Sequence, residues 1–465
     1  MSVDPASLIR IQADTAGCFA LEDHVTKKHI RSVERSAVRR VLASLAMTSL
    51  AACSGSAPVE PESEAMAPVP IMEMEVPADP DAIRPFAIDV PEEVLVDLRS
   101  RLARTRLPDQ IPGTGWDYGT DRAYLEELLE YWKNVFDWRA QEAVLNQFDH
   151  FKTAIDGVDV HFIHQRSPHE DATPLLLTHG WPGSFTEFTQ LIGPLTDPTA
   201  YGGDAADAFH LVVPSIPGFG FSGKPTQRGY NPERMADVLA GLMARLGYER
   251  YGVQGGDWGA IIGRVVAFNH GDHVIGFHTN MVTGGPPPDM ANPEEGVPAE
   301  ELELREARLE IRASGRGYSE IQGTKPQTVG YGLNDSPAGL AAWIIEKFHG
   351  WSDHGGDIEH SFTKDQMLTN ITVYWVTGTA TSSARIYYES RNTRPTRPVG
   401  YVAVPTAGAI FPEEISFTPR KWAEANYNIV RWTRMPEGGH FAALEQPALL
   451  LDDVRAFFRD LKRLG

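Results

Sequence analysis

A glycine-flanked aspartate in the middle of the chain has the residue types that nucleophilic catalysis needs. Gly255-Gly-Asp-Trp-Gly259 follows a run with strand character and precedes a helical pattern. The turn of a nucleophile elbow is so tight that small residues are needed two positions before and after the nucleophile, and Gly255 and Gly259 occupy those positions. Asp257 is therefore the candidate nucleophile, although an isolated motif of this kind also fits a glycine-rich turn with a hydrogen-bonding aspartate. A carboxylate can displace a leaving group from a saturated carbon, forming an alkyl ester that water must then cleave.

Cleavage of such an ester needs a base for water, and His440 is the candidate. It follows Gly438 and Gly439 late in the chain, shortly before the last helical pattern. The expected chain order is nucleophile, acid, histidine, and Phe411-Pro-Glu-Glu414 supplies an acid after a strand-like run. The acid would fix the tautomer of the imidazole and stabilise its protonated form. The pattern alone leaves Glu413 and Glu414 both open.

A second loop could hold the negative charge of the tetrahedral intermediate. His179-Gly-Trp-Pro-Gly183 follows another strand-like run, and a Gly/Pro loop can expose backbone N–H groups beside the nucleophile. The backbone N–H groups of Trp181 and Trp258 are the oxyanion-hole candidates. The alternative is an ordinary strand-to-helix loop with a buried tryptophan.

The elements that position these loops alternate between strand and helix, which predicts an α/β fold with a mostly parallel sheet covered on both faces. Asn231 can cap a helix over 231–246, with Pro232 at its first position and Gly247 at its end. From about 284 to 397 the alternation gives way to helix-forming sequence, which predicts an inserted helical lid. The strand-like runs lie at 158–163, 174–178, 209–213, 250–254, 400–404 and 429–432, and a closing helix covers 448–464.

Two amphipathic helices are predicted before this core, one from Pro91 to Arg106 and one around Tyr124 to Trp132. The N-terminal module that contains these helices, at 83–150, is too small for an independent hydrophobic core, so we expect it to wrap on the main domain.

Composition excludes several classes of function. The 465 residues contain 42% hydrophobic and 9% aromatic residues, which is ordinary for a globular protein, and the formal net charge is −20. Nucleic acids and anionic lipid surfaces attract basic proteins, so neither is expected as a partner. The two cysteines exclude a disulfide framework and a cysteine-rich metal site.

The first 53 residues read as a targeting region. Arg35, Arg39 and Arg40 precede an apolar stretch over 41–52, and Leu50-Ala-Ala-Cys53 resembles a bacterial lipobox, which would make Cys53 a lipidated residue. This predicts attachment to a membrane through that lipid, in the bacterial cell envelope, or a periplasmic protein. If the stretch is a chance apolar run in a disordered tail, the protein is cytoplasmic. Because residues 1–34 lie upstream of the basic region, we expect the true start near Val33 or Val38.

Several motifs together resemble the microsomal-type epoxide hydrolases, including juvenile-hormone-type members. The resemblance spans residues 84–463 and implies the α/β-hydrolase fold with an N-terminal segment wrapped around the core. The matching blocks are Phe136-Asp-Trp-Arg-Ala-Gln-Glu142, His179-Gly-Trp-Pro-Gly-Ser184, Ser215-Ile-Pro-Gly-Phe-Gly-Phe-Ser222, the elbow, Thr324-Lys-Pro-Gln-Thr-Val329, Leu333-Asn-Asp-Ser-Pro337 and Gly439-His-Phe-Ala-Ala443.

The resemblance implies further site residues. The family's acid lies in Phe-Pro-x-Glu, which selects Glu414. Two lid tyrosines of the family protonate the epoxide oxygen, and they match Tyr318, in Gly317-Tyr-Ser-Glu-Ile-Gln322, and Tyr387, in Ser382-Ser-Ala-Arg-Ile-Tyr387. Tyr388 and Tyr374 remain rivals for the second position. The family uses no metal and no organic cofactor.

The predicted function is therefore hydrolysis of a small hydrophobic epoxide to a vicinal diol. A haloalkane dehalogenase shares the same aspartate, histidine and acid, and Trp258 could hold its halide. In the alternative that is not an enzyme, the protein is a lipoprotein that kept the fold without catalytic activity.

Six regions follow from these patterns. They are a signal region at 1–53, a flexible tether at 54–82, an N-terminal epoxide-hydrolase-type module at 83–150, the first part of the core at 151–283, the lid at 284–397 and the second part of the core at 398–465.

Overall fold

A nine-stranded sheet lies at the centre of the computed structural model, which describes residue 79 and residues 81–464 except 288–289. The predicted signal region, Cys53 and nearly all of the predicted tether lie outside the described residues. In chain order the strands are β1 Arg84–Pro85, β2 His150–Ile155, β3 Val158–Gln165, β4 Thr173–Thr178, β5 Phe209–Pro214, β6 Tyr251–Gly255, β7 Val274–Thr279, β8 Val402–Ile410 and β9 Tyr427–Arg434.

The sheet is antiparallel at one end and parallel across the rest. Its spatial order is β1-β2-β3-β5-β4-β6-β7-β8-β9, and the pairs from β5 to β9 are parallel. Because parallel strands end at one edge of a sheet, the loops after β4, β6, β8 and β9 come together at that edge. The turn that joins β2 to β3 has Asp156 at φ 53° and Gly157 at φ 76°.

Fifteen α-helices occur among the described residues and cover the sheet and its loop edge. α1 to α3 belong to the N-terminal segment, and α7 to α12 form the insertion between β7 and β8. The helices are α1 Glu92–Ala103, α2 Arg122–Asn134, α3 Trp138–Leu145, α4 Thr189–Thr196, α5 Pro232–Arg245, α6 Asp257–Asn269, α7 Ala299–Gly315, α8 Gly317–Thr324, α9 Pro326–Asp335, α10 Pro337–Gly350, α11 Lys364–Thr377, α12 Ala380–Asn392, α13 Arg420–Asn426, α14 Ala442–Glu445 and α15 Pro447–Leu464.

The best-defined sequence signals match the observed elements closely. Asn231 caps α5 by accepting the backbone N–H of Arg234 over 3.0 Å, and Gly247, at φ 82°, follows its end. The strand predicted at 400–404 instead begins at Val402 and continues to Ile410, and the first helix ends at Ala103 rather than Arg106. β7 had no prediction, because its residues are almost all buried and show no alternation of polar and apolar side chains.

The N-terminal segment packs directly against the insertion. The Trp132 indole on α2 donates to Thr372 Oγ1 on α11 over 3.1 Å, and the Tyr131 hydroxyl donates to Asp365 on the same helix over 3.0 Å. β1 adds this segment to the sheet beside β2. Contacts with the N-terminal segment therefore help to hold the helices of the insertion in place.

Within the described residues, none of the helices combines the length and apolar character needed to cross a bilayer.

Candidate active site

Asp257 lies at the turn between β6 and α6 in a strained backbone conformation. Its φ is 47°, a left-handed value that residues with a side chain seldom adopt. A Cβ on Gly255 would lie 2.5 Å from the Gly259 carbonyl carbon, and one on Gly259 would lie 1.9 Å from the Thr178 oxygen. Both glycines are therefore required sterically, and the turn presents the Asp257 carboxylate at the loop edge of the sheet.

His440 lies between two carboxylates. Its Nε2 is 3.5 Å from Asp257 Oδ2, and its Nδ1 is 2.8 Å from Glu414 Oε1, with the imidazole and Glu414 both buried. Burial by itself lowers the pKa of the imidazole, but the negative charges of Glu414 and Asp257 outweigh it and raise the pKa well above its usual value. Glu413 instead forms an ion pair with Arg308 on α7 over 2.9 Å, with its side chain 47% exposed. The structure thus places Glu414, and not Glu413, against the histidine.

Trp181 follows β4 and holds the other oxygen of Asp257. Its backbone N–H donates to Asp257 Oδ1 over 2.8 Å. A Cβ on the preceding Gly180 would lie 2.3 Å from Asp257, so this approach also needs glycine. The second oxyanion-hole residue, Trp258, is the next residue of α6, and its role as a donor stays a prediction.

The lid helix α11 supports the loop that carries Trp181. The Asn370 amide donates to the Pro182 carbonyl over 2.8 Å, and the Tyr374 hydroxyl donates to the Gly183 carbonyl over 2.7 Å. Tyr374 thereby has a structural partner, which the sequence did not indicate. Both contacts fix the loop relative to the insertion.

Tyr318 and Tyr387 pack on the tryptophans beside the nucleophile. The Tyr318 ring stacks on Trp181 with centroids 5.1 Å apart and planes 6° apart, while Tyr387 meets Trp258 edge-on at 4.8 Å. The two tyrosine rings are 5.7 Å apart. The Tyr387 hydroxyl is buried, with the Trp258 indole N–H and the Tyr318 hydroxyl as its polar neighbours, whereas Tyr388 is more exposed. The structure therefore places both predicted tyrosines against the tryptophans that lie beside Asp257.

Burial raises the pKa of both phenols. The negative charge of Asp257 raises the pKa values of Tyr318 and Tyr387 further. Both groups thus stay protonated and can donate a hydrogen bond over the working pH range.

Comparison with known proteins places this arrangement in a family. Residues 83–188 match the epoxide hydrolase N terminus model, and residues 173–395 match the alpha/beta hydrolase fold model. The chain is 47% identical over 386 residues to a protein of Stigmatella aurantiaca that is provisionally named an epoxide hydrolase, covering 82% of this chain and 86% of that one. It is 39% identical to epoxide hydrolase 1 of Sus scrofa, covering 82% of this chain and 89% of that one. The chain belongs to the epoxide hydrolase family.

The fold of this epoxide hydrolase is similar to a solved structure of the same family. The juvenile hormone epoxide hydrolase of the silkworm Bombyx mori superposes with a TM-score of 0.75 at 33% identity, covering 83% of this chain and 96% of that one. The α/β-hydrolase fold predicted from the sequence is thereby confirmed, together with the N-terminal segment and the lid.

Glu187 is a partly buried acid of the enzyme's site that the sequence did not indicate. It lies on a single turn over 185–188, directly after the Trp181 loop. Burial and the negative charge of Asp257 together raise the pKa of its carboxyl to about 8, although His440 and the Ser184 N–H oppose the rise. Ser184 and Glu187 have the Ser-x-x-Glu spacing that is typical of a helix N-terminus. In the sequence, the glutamate can therefore be interpreted as a capping residue.

The loop that carries His440 is bound to the segment after α10. The His440 N–H donates to the Trp351 carbonyl over 2.9 Å, and the Gly438 N–H donates to Asp353 over 3.0 Å. The Glu445 carboxylate accepts the N–H groups of Asp353 and Phe441, each over 2.8 Å. The histidine loop of the enzyme is therefore anchored to its insertion.

Clusters of three or more histidine, cysteine, aspartate or glutamate side chains suited to a metal ion do not occur among the described residues.

Proposed function

We propose that the enzyme hydrolyses an epoxide to a vicinal diol through a covalent ester on Asp257. One observation carries this proposal: the Asp257 carboxylate has the Trp181 N–H on one oxygen and the His440 imidazole near the other, while the Tyr318 and Tyr387 rings pack on the adjacent Trp181 and Trp258. These are the groups that displacement at a saturated carbon and cleavage of the resulting ester require.

In the first step an Asp257 oxygen attacks a ring carbon of the epoxide. The carbon–oxygen bond of the ring breaks, and its electron pair moves to the epoxide oxygen. Tyr318 or Tyr387 gives that oxygen a proton as the charge develops. The high pKa of a buried phenol is acceptable here because the alkoxide it protonates is the stronger base.

In the second step His440 takes a proton from a water molecule, whose oxygen attacks the Asp257 carbonyl carbon. The Trp181 and Trp258 N–H groups stabilise the tetrahedral intermediate. When the intermediate collapses, the remaining proton of the attacking water passes to the leaving alkoxide, which releases the diol and restores the carboxylate. The proton held by His440 replaces the one that the tyrosine gave up. Glu414 keeps the Nδ1–H of His440 in place and stabilises the protonated imidazole.

The substrate of this proposal is a small hydrophobic epoxide. Trp181, Trp258 and Trp351 surround the two phenols, and all three tryptophans are buried. An apolar surrounding with a few placed polar groups is typical of small-molecule sites. Binding would hold the ring oxygen at the phenols and a ring carbon near Asp257.

Diol release from styrene oxide tests the proposal, with Asp257→Ala as the variant and halide release from 1-bromobutane as the comparison. We expect diol from the wild type and a loss of about 10⁴-fold or more in the variant, since the nucleophile is removed. Halide release without diol release would favour the dehalogenase alternative, in which the Trp258 indole N–H would hold the halide. Full diol formation by Asp257→Ala would contradict the covalent route.

We also propose that Cys53 is lipidated after removal of a signal, which would attach the enzyme to the cell envelope through the tether at 54–82. The Leu50-Ala-Ala-Cys53 pattern supports this. Intact-mass measurement of protein extracted from membranes tests it, and a species that keeps residues 1–52 and carries no lipid would contradict it. The six regions predicted from the sequence, including the lid at 284–397, remain our division of the chain.

A further inference from the structure

A small cavity lies beside Asp257, and neither Tyr318 nor Tyr387 lines it. The space open to the centre of a water molecule is about 20 Å³. Roughly 10–15 Å³ on this measure is enough for one water, provided that polar partners are present. Its polar lining includes the side chains of Glu187, Asp257, Asn280 and His440.

The cavity therefore has the size and the partners of a single-water site. The two tyrosines contact the rings of Trp181 and Trp258, whereas the cavity reaches His440, Glu187 and the residues around them. The epoxide and the water would thus approach Asp257 from different directions. A water in the cavity would adjoin both the imidazole that must deprotonate it and the carboxylate whose ester it must attack.

The position of Glu187 is fixed by the loop that also carries the Trp181 N–H. A Cβ on Gly183 would lie 1.4 Å from Glu187 Oε1, so the carboxyl occupies space that this glycine leaves free. The Tyr374 hydroxyl holds the Gly183 carbonyl, and the Ser184 N–H donates to the Glu187 carboxyl. Glu187 is thus directed into the cavity by several contacts, although neither step proposed above uses it.

We propose that Glu187 is a positioning residue that holds the hydrolytic water in this cavity for attack on the Asp257 ester. This inference rests on the covalent route proposed above and assigns it the water site. A carbonyl oxygen of the Glu187 carboxyl accepts one O–H of the water, and the other O–H points to His440 Nε2. The oxygen lone pair then faces the Asp257 carbonyl carbon.

The raised pKa of Glu187 is consistent with this role. A value of about 8 keeps the carboxyl neutral at neutral pH. A neutral carboxyl does not compete with the water for the proton that His440 must receive, and it adds no further negative charge beside the imidazole. Glutamine, which is neutral and has nearly the same shape, should therefore replace it.

Single-turnover reactions of Glu187→Leu, Glu187→Gln and wild type with styrene oxide separate the two steps. Intact-mass analysis of quenched samples would follow formation and decay of the alkyl ester. We expect ester decay in Glu187→Leu to slow on the order of 10²-fold, the cost of misplacing a reactant by about 1 Å. Ester formation should change little, and Glu187→Gln should decay at close to the wild-type rate.

Ester formation also serves as the control for a merely structural role. Trp181 lies on the same loop and touches the nucleophile, so a disturbed loop would slow ester formation and ester decay together. Glu93→Leu, at an exposed glutamate on α1, is the matched control for the change of residue type. If Glu187→Leu does not fold, Gly183→Ala would displace the carboxyl without removing it and should slow ester decay selectively.

Two results would overturn the inference: wild-type ester decay in Glu187→Leu, or equal losses in both steps. The absence of an ester in both wild type and His440→Gln would instead contradict the covalent route. The two proposals thus fail by different measurements.

Discussion

The backbone N–H of Trp181 donates to Oδ1 of Asp257 over 2.8 Å, although 76 residues separate them in the chain. The contact leaves Oδ2 directed to His440, so the two oxygens of one carboxylate have different neighbours. In the proposed mechanism, Oδ1 is thus already bound at the position where negative charge would develop during ester cleavage. The expected behaviour of several variants follows from this arrangement.

Replacing His440 by glutamine should trap the ester. Attack on the epoxide needs no base, whereas cleavage of the ester does, so the covalent adduct should accumulate while turnover falls on the order of 10⁴-fold. Mass spectrometry should show the enzyme heavier by one substrate. The double variant with Asp257→Ala is the control, and an adduct on that protein would place the ester on another residue.

Glu414→Gln should slow ester hydrolysis by roughly 10²–10⁴-fold, because the amide can no longer stabilise the protonated imidazole. Glu413→Gln is the matched control one residue earlier. It removes only an ion pair with Arg308 in which the Glu413 side chain is half exposed, and it should change the rate by less than about twofold. Pre-steady-state kinetics would compare the two, and the reverse order would assign the acid to Glu413.

Tyr318→Phe and Tyr387→Phe should each slow ester formation by about 10–10²-fold. This is a partial loss relative to full general acid catalysis, because one phenol remains. Ester decay, measured separately, should stay near the wild-type rate. Tyr388→Phe is the control next to Tyr387 in the chain, and a larger effect there would transfer the role to Tyr388.

The stability of the enzyme should fall between about pH 5 and pH 8 through Glu187. An acid whose pKa is raised by folding stabilises the folded state below its unfolded pKa, and this contribution is lost as the pH rises through the folded value. For Glu187 the window runs from 4.5 to about 8, with Asp257 and His440 as charged neighbours and Tyr374 close by. Thermal unfolding at several pH values should show a smaller decline in Glu187→Gln, and parallel curves for the two proteins would contradict this.

The sequence predicted those parts of the site in which steric constraints require particular residues close together in the chain. Only glycine fits at positions 255 and 259, so the glycine spacing, together with the flanking strand and helix patterns, predicted the elbow. Tyr318 and Tyr387 required the family resemblance, since the tertiary fold brings them together from separate lid helices. Glu187 was missed because its role depends on burial, and the hydrogen bond from Tyr374 to Gly183 joins residues 191 apart.

Prediction of the fold failed where a segment lacks a periodic pattern. β7 is buried nearly throughout and contains no polar alternation, and β1 has only two residues. The capped helix α5, with a clear start and end, was placed to within one residue.

The loop that carries His440 is anchored to Trp351 and Asp353 of the insertion, so the position of the imidazole is mechanically coupled to the lid. We expect any outward movement of the lid to draw the imidazole away from Asp257. In the proposed mechanism, ester cleavage would then run only while the lid covers the site.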